Sequence, residues 1–142
     1  MKQADDRLRW GIGPETAAVC GSLLLAAAIG IGALGAHTLK GRLPDVRLET
    51  LETAVRYQAY GALGLLLIAA LSLASGPSAG TAKRRGLLGT GALLLLVGVL
   101  VFSLTLFGLV AGGPGFLGAV TPLGGALMIT AWLVVAVAFG RR

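Results

Sequence analysis

Long stretches of this chain contain no charged side chain. Residues Thr16 to Ala36 carry no charge, and neither do residues Gln58 to Ala82. After Arg85 the next charged residue is Arg141. Within these runs the apolar residues do not alternate with polar ones, which is the pattern of membrane-spanning helices and not of barrel strands.

These runs predict four membrane-spanning helices, because about 20 helical residues cross a hydrocarbon core of about 30 Å. The last run is long enough for two helices and is divided by the turn cluster Ala111-Gly112-Gly113-Pro114-Gly115. We therefore predict an all-α integral membrane protein whose four helices form a small antiparallel bundle, a single membrane domain over residues 1–142. The predicted spans are about 16–36, 56–74, 87–110 and 117–139.

The composition agrees with a membrane protein and excludes other classes. Charged residues make up 13% of the chain and apolar residues 56%, which is too little polar surface for a soluble domain and too much apolar content for a disordered chain. The net charge is +6, but the chain has no basic stripe with interleaved aromatic residues of the kind that nucleic-acid binding requires.

The first span has the basic start of a signal peptide. Its apolar run is longer than the usual core of a signal peptide, so we expect the first span to be retained in the mature protein.

The distribution of lysine and arginine predicts the orientation in the membrane. With four spans, the N-terminal tail, the 75–86 segment and the C-terminus share one side, and they hold 8 of the 12 cations. The positive-inside rule therefore places both termini in the cytoplasm. The remaining four cations lie with three acids between Lys40 and Arg56.

That charged segment is the chain's main functional lead. The sequence predicts one helix over residues 44–74, which is longer than the bilayer core, so residues of about 44–55 form an interfacial extension. We expect Arg56, at the membrane boundary, to pair with Glu52 one turn earlier or to extend outward to water. His37 ends the first span. The candidate polar cluster comprises His37, Glu49, Glu52, Arg56, Tyr57 and Gln58.

Two interpretations of this cluster remain open. The favoured one is an interfacial anchor, with His37 at a helix end; the other is a polar site for a ligand or a proton between the helices. Cys20 is the only cysteine, so no intramolecular disulfide is possible, and we expect neither a metal site nor a cofactor.

Small residues are expected to hold the spans together, because close packing replaces the hydrophobic effect in lipid. The favoured interpretation is packing within the bundle, and the alternative is a face for oligomerisation or for a partner subunit. In the fourth span Thr121 either caps a helix that starts at Pro122, which we prefer slightly, or precedes a kink. We expect Gly124 and Gly125 to contact the first or second span. The predicted packing residues are Ala28, Gly32, Gly35, Ala36, Gly61, Gly64, Gly124 and Gly125.

Three motifs resemble those of a known family. They are the segments 32–37 (Gly-Ala-Leu-Gly-Ala-His), 52–58 (Glu-Thr-Ala-Val-Arg-Tyr-Gln) and 121–125 (Thr-Pro-Leu-Gly-Gly). In this order they resemble the domain of unknown function 423 family, whose eukaryotic relative is transmembrane protein 256. The resemblance implies a small four-span protein of the bacterial inner membrane or of mitochondria, without an established chemistry. Members commonly carry a second histidine where this chain has Gly61, so a paired-histidine site is not expected here.

These observations favour a non-catalytic membrane protein. We expect an accessory or assembly subunit of a larger membrane complex, or a homo-oligomer, in the bacterial inner (cytoplasmic) membrane, and not an enzyme. The alternative is a small transporter or channel, proton-linked through His37, Glu52 and Arg56.

Overall fold

The computed structural model describes residues 11–76 and 79–140 as four long helices. They are α1 (Pro14–Leu34), α2 (Asp45–Ala74), α3 (Ala79–Val110) and α4 (Phe116–Gly140). One turn of π-helix, Gly35–Leu39, extends α1. Each of the four is long and apolar enough to cross a membrane, which confirms the predicted class. Five cations of the orientation argument lie outside the described residues: Lys2, Arg7, Arg9, Arg141 and Arg142.

The interfacial extension is part of α2, as predicted. Helix α2 runs without a break from Asp45, directly after Pro44, to Ala74. Its 30 residues span about 45 Å, which exceeds a hydrocarbon core of about 30 Å. The first turns of α2 therefore extend beyond the apolar part of the helix and lie beside the π-helical turn.

Helix α3 begins earlier than its apolar span. It starts at Ala79, so that Lys83, Arg84 and Arg85 belong to the helix and not to a loop. Lysine and arginine are good helix formers. The predicted start of the span near residue 87 therefore marks where the charges end and not where the helix begins.

The preferred start of α4 at Pro122 is wrong, since α4 begins at Phe116 and Pro122 lies inside it. Thr121 does not cap this helix. Its hydroxyl donates to the Leu117 carbonyl at 3.0 Å and shares a 2.8 Å hydrogen bond with the Thr105 hydroxyl of α3. Membrane helices tolerate an internal proline where neighbouring hydroxyls and helices compensate for the disturbed backbone.

The helices pack mainly in chain order, α1 on α2, α2 on α3 and α3 on α4, with a smaller contact between α1 and α3. Within the described residues α1 and α4 share no extensive interface, so the bundle is open on that side. Helix α2 is the most buried of the four and α1 the least. The largest fully buried side chains form the centre of the core: Leu65, Ile68, Leu88, Leu95 and Val99.

Contacts at the two ends of the bundle confirm the antiparallel arrangement. The Ile12 amide donates to the Gly89 carbonyl at 3.2 Å, and the Arg84 guanidinium lies 5.1 Å from the centre of the Phe139 ring. The start of α1, the start of α3 and the end of α4 are therefore at one end. The start of α2 and the turn between α3 and α4 are at the other end, where the Arg47 guanidinium lies beside Gly112.

Candidate functional site: a charged groove between α1 and α2

A groove with a volume of about 460 Å³ separates the end of α1 from the start of α2. It is open on one side and combines a small apolar surface with three charged side chains. The charged residues are Lys40, Glu52 and Arg56. The apolar residues are Gly32, Gly35, Ala36, Leu48, Leu51 and Val55.

Two glycines of the first motif allow the helices to meet at the floor of the groove. A methyl group on Gly35 would lie 2.9 Å from Leu51 Cδ2, and one on Gly32 would lie 3.3 Å from Val55 Cγ1. Leu51 is buried by this contact. Close approach through small residues is the usual way in which membrane helices associate. The glycines therefore set the distance between the two helices that form the groove.

The π-helical turn carries the other side of the groove. The turn ends at Leu39 and is followed by Lys40, whose backbone is extended, and Gly41 then reverses the chain with a φ of +83°. A positive φ of this kind favours glycine. The turn thereby brings α2 back alongside Lys40, so that Lys40 lines the same groove as Glu52 and Arg56.

The three charges of the groove do not neutralise one another. In the described part of the chain, no ion pair of 4.0 Å or less joins Glu52 to Arg56 or either of them to Lys40. The first of the two predicted fates of Arg56, pairing with Glu52, is not observed, and its side chain is exposed. All three charges remain accessible to a ligand in the groove.

The other members of the predicted polar cluster lie elsewhere. His37 is exposed on the π-helical turn and Glu49 is exposed on α2, and neither lines the groove. The Tyr57 ring packs on Phe102 of α3, with 4.8 Å between ring centres. Gln58 is buried and its side-chain amide donates to the Leu24 carbonyl of α1 at 2.9 Å. The structure thus divides the cluster into two groove residues, two residues that contact neighbouring helices, and two exposed residues that do neither.

Sequence reasoning missed two features that hold the site in place. It made Lys40 the start of the charged segment but did not include this residue in the candidate polar cluster, whereas Lys40 lines the groove. It also identified no side chain of α3 that contacts α2 near the groove. The Ser103 hydroxyl lies 3.4 Å from the Ala54 carbonyl of α2, whereas the Thr105 hydroxyl donates to the carbonyls of Val101 and Phe102 in its own helix.

The predicted packing residues mostly lie at helix contacts, but one expected neighbour is wrong. Ala28, Gly61 and Gly64 are buried, whereas Ala36 lines the groove. Gly124 contacts α3 and not α1 or α2, because a methyl group there would lie 2.5 Å from the Phe102 amide nitrogen. At Gly125 the nearest atom, also of Phe102, would be at 3.8 Å.

The chemistry of the groove suits the binding of an amphiphile. Its small and aliphatic residues offer an apolar surface, and its charged side chains offer donors and one acceptor. Within residues 11–76 and 79–140, no group of three or more histidine, cysteine, aspartate or glutamate side chains is arranged to hold a metal ion.

The fold and this groove define a small helical membrane protein that crosses the bilayer several times. The chain belongs to the family described as protein of unknown function DUF423, whose sequence signature matches residues 31–125. The match includes all three motifs from which the resemblance was drawn, and the resemblance is confirmed.

The relatives are bacterial membrane proteins. The chain is 37% identical to the UPF0382 membrane protein YwdK of Bacillus subtilis over 84% of its own length and 92% of the relative's. It is 39% identical to a UPF0382 membrane protein of Staphylococcus epidermidis, covering 84% of this chain and 91% of that one. A third, from Staphylococcus haemolyticus, is 38% identical, with coverages of 82% and 88%. No solved structure matches the chain.

Proposed function

We propose that the protein is a non-catalytic membrane protein that acts by lateral association in the bacterial inner membrane, with a second copy of itself as the first partner. The observation that carries the proposal is that α1 has two faces of small residues. One face is used inside the bundle and the other is open.

The inner face of α1 is already occupied. Ala28 is buried, and a methyl group on Gly21 would lie 2.8 Å from the Ala62 carbonyl oxygen of α2. Gly32 and Gly35 approach Val55 and Leu51 in the same way. These residues therefore serve packing within one chain.

The outer face of α1 presents a second row of small residues at helical spacing. Ser22, Ala26, Gly30 and Ala33 are all exposed, and a methyl group on Gly30 would meet no atom within 4 Å. Ala26 and Gly30 form a small-xxx-small pair, which lets two membrane helices approach closely. In a two-fold dimer the same row would meet itself, so one surface supplies both halves of the contact.

The geometry gives less support to transport. The groove residues all lie within residues 32–40 of one helix and its extension and 48–56 of the next, at one end of the bundle. Beyond them the core is filled by buried side chains such as Leu65, Leu95 and Val99. Of the three residues of the transport hypothesis, Glu52 and Arg56 line the groove and His37 does not.

The proposed association predicts that Gly30→Leu separates the copies. A bulky side chain on the outer face prevents backbone approach, so the dimer dissociation constant measured by photobleaching counts in liposomes should rise about tenfold or more. Ala126→Leu is the matched control, because Ala126 is an exposed small residue on α4. A wild-type protein that is strictly monomeric and purifies without a partner would contradict the proposal, as would an equal effect of the control. Loss of a co-purified subunit in Gly30→Leu would assign the same face to a different partner.

We also propose that both termini face the cytoplasm, which is supported by the cations at the end that holds Lys83, Arg84 and Arg85. Green fluorescent protein fused after Arg142 should fluoresce, since it folds poorly after export. Alkaline phosphatase inserted at Gly113 should be active because the enzyme requires an exported location. The controls are alkaline phosphatase fused after Arg142 and green fluorescent protein inserted at Gly113, both of which should be inactive. Active reporters in these two control fusions, with inactive ones in the first pair, would overturn the proposed orientation.

A further inference from the structure

We propose that the groove between α1 and α2 binds one phospholipid whose headgroup carries both a phosphate and a primary ammonium, as in phosphatidylethanolamine. Lys40 and Arg56 would hold the phosphate, and Glu52 would accept hydrogen bonds from the ammonium. This proposal concerns a different surface from the outer face of α1 and does not depend on self-association.

The three charges lie where the uncharged apolar parts of α1 and α2 end, which is where lipid headgroups would meet the protein. Arg56 is the last charged residue before the uncharged apolar part of α2, and Lys40 is the first lysine or arginine after the apolar part of α1. Charged side chains are stable at this boundary and costly further inside. Because the two helices are antiparallel, Gly32, Val55 and Arg56 lie nearer the bilayer centre than Lys40, so the groove runs from the headgroup region toward the acyl chains. The long Arg56 side chain would extend outward from the inner end of the groove to meet the phosphate.

The charges of the groove complement a zwitterionic headgroup. Lysine and arginine have only donors, and both bind phosphate oxygens; a glutamate carboxylate has only acceptors. Since no ion pair of 4.0 Å or less joins these three described residues, none must be broken before a lipid binds. A purely anionic headgroup would use the two cations and be repelled by Glu52. A choline headgroup would leave the carboxylate without a hydrogen-bond donor.

The size and apolar surface of the groove also fit a lipid. Its volume of about 460 Å³ lies within the range of about 300–1,000 Å³ that is usual for small-molecule sites. Ala36, Leu48 and Val55 offer a surface for the glycerol backbone and the first methylene groups. Basic pockets between membrane helices are a common form of lipid-headgroup site.

The test is native mass spectrometry of the full chain in detergent, titrated separately with dioleoyl phosphatidylethanolamine, phosphatidylcholine and phosphatidylglycerol. The wild type should bind one phosphatidylethanolamine with saturation and prefer it to the other two lipids. Lys40→Ala and Arg56→Ala should each weaken this binding about fivefold. Glu52→Gln should weaken the binding of phosphatidylethanolamine about fivefold and leave the binding of phosphatidylglycerol undiminished. The preference between these two lipids should therefore disappear.

The controls use residues that lie near the groove but do not line it. Arg42→Ala matches the cation variants, and Glu49→Gln matches Glu52→Gln, since both residues are exposed and outside the lining. Ala36→Phe should block the groove without changing any charge, whereas Ala27→Phe, on an exposed position of the same helix, should not. Equal binding of the three lipids by the wild type, or equal losses in the groove and control variants, would overturn the proposal. Photobleaching counts should be the same for Glu52→Gln and the wild type, which separates this result from the proposed self-association.

Discussion

Replacing Gly124 with alanine is expected to destabilise the contact between α3 and α4 by about 1–3 kcal/mol, the usual cost of overpacking. The added methyl carbon would lie 2.5 Å from the Phe102 amide nitrogen and 2.8 Å from the Gly98 carbonyl oxygen. Both are backbone atoms of α3, so no side chain can rotate away and the two helices must move apart. The Thr105–Thr121 hydrogen bond joins the same pair of helices and would be strained as well. The measurement is the free energy of unfolding in mixed detergent micelles, followed by circular dichroism.

The adjacent glycine provides the matched control. A methyl group on Gly125 would have its nearest neighbour, a ring carbon of Phe102, at 3.8 Å, which is ordinary contact. Both substitutions change helix propensity by the same amount, so their difference isolates the approach of the backbones. Equal free energies of unfolding for Gly124→Ala and Gly125→Ala would show that α3 and α4 do not meet through Gly124.

A second large effect is expected where α2 meets α3. A methyl group on Gly61 would overlap Cγ2 of Val99, which is fully buried and, being β-branched, has little freedom to rotate. Gly61→Ala should therefore cost about 1–3 kcal/mol in the free energy of unfolding. Adding Val99→Ala removes the overlapping atoms, so the double variant should be more stable than the sum of the single effects predicts, by about 0.5–3 kcal/mol.

The complete double-mutant cycle makes this test specific. Gly86→Ala on α3 is the control for a glycine replaced without steric conflict, because a methyl group there would meet no atom within 4 Å. It should be neutral or stabilising, as expected for alanine in a helix. If the effects of Gly61→Ala and Val99→Ala simply add, the two residues do not touch, and the packing of α2 on α3 differs from the structure.

The candidate site shows what a sequence can and cannot predict about such a protein. The grouping of charges between Lys40 and Arg56 coincides with the region of the groove, and helical periodicity placed Glu52 and Arg56 on one stripe of α2. Periodicity within a single helix did not reveal which residues of the preceding helix face that stripe. The turn at Gly41 brings α2 back alongside Lys40, which lines the groove, whereas His37, three residues earlier, does not line it.

Gln58 is the opposite case, a residue that the sequence assigned to the candidate site and that instead joins two helices. Its place in the conspicuous Arg56-Tyr57-Gln58 motif suggested a site residue, yet its amide is buried and bonded to the Leu24 carbonyl. A polar side chain in an apolar span must find a partner, but the sequence does not identify the partner when it is a backbone carbonyl of another helix. Tyr57, the residue before Gln58, contacts α3 instead, because adjacent helical residues differ in direction by about 100°.

The sequence by itself determined the class of protein, the number of spans, their antiparallel order and the long second helix. Each follows from where charges are absent, since a charge within the hydrocarbon core is costly whatever the helix packs against. The tertiary structure alone decided that α1 and α4 share no extensive interface in the described part of the chain, that Gly124 meets α3, and that Lys40 joins Glu52 and Arg56 in one groove. These facts depend on which faces meet, and in lipid that choice is made by shape and close contact between small residues, which carry little signal in the hydropathy of a single chain.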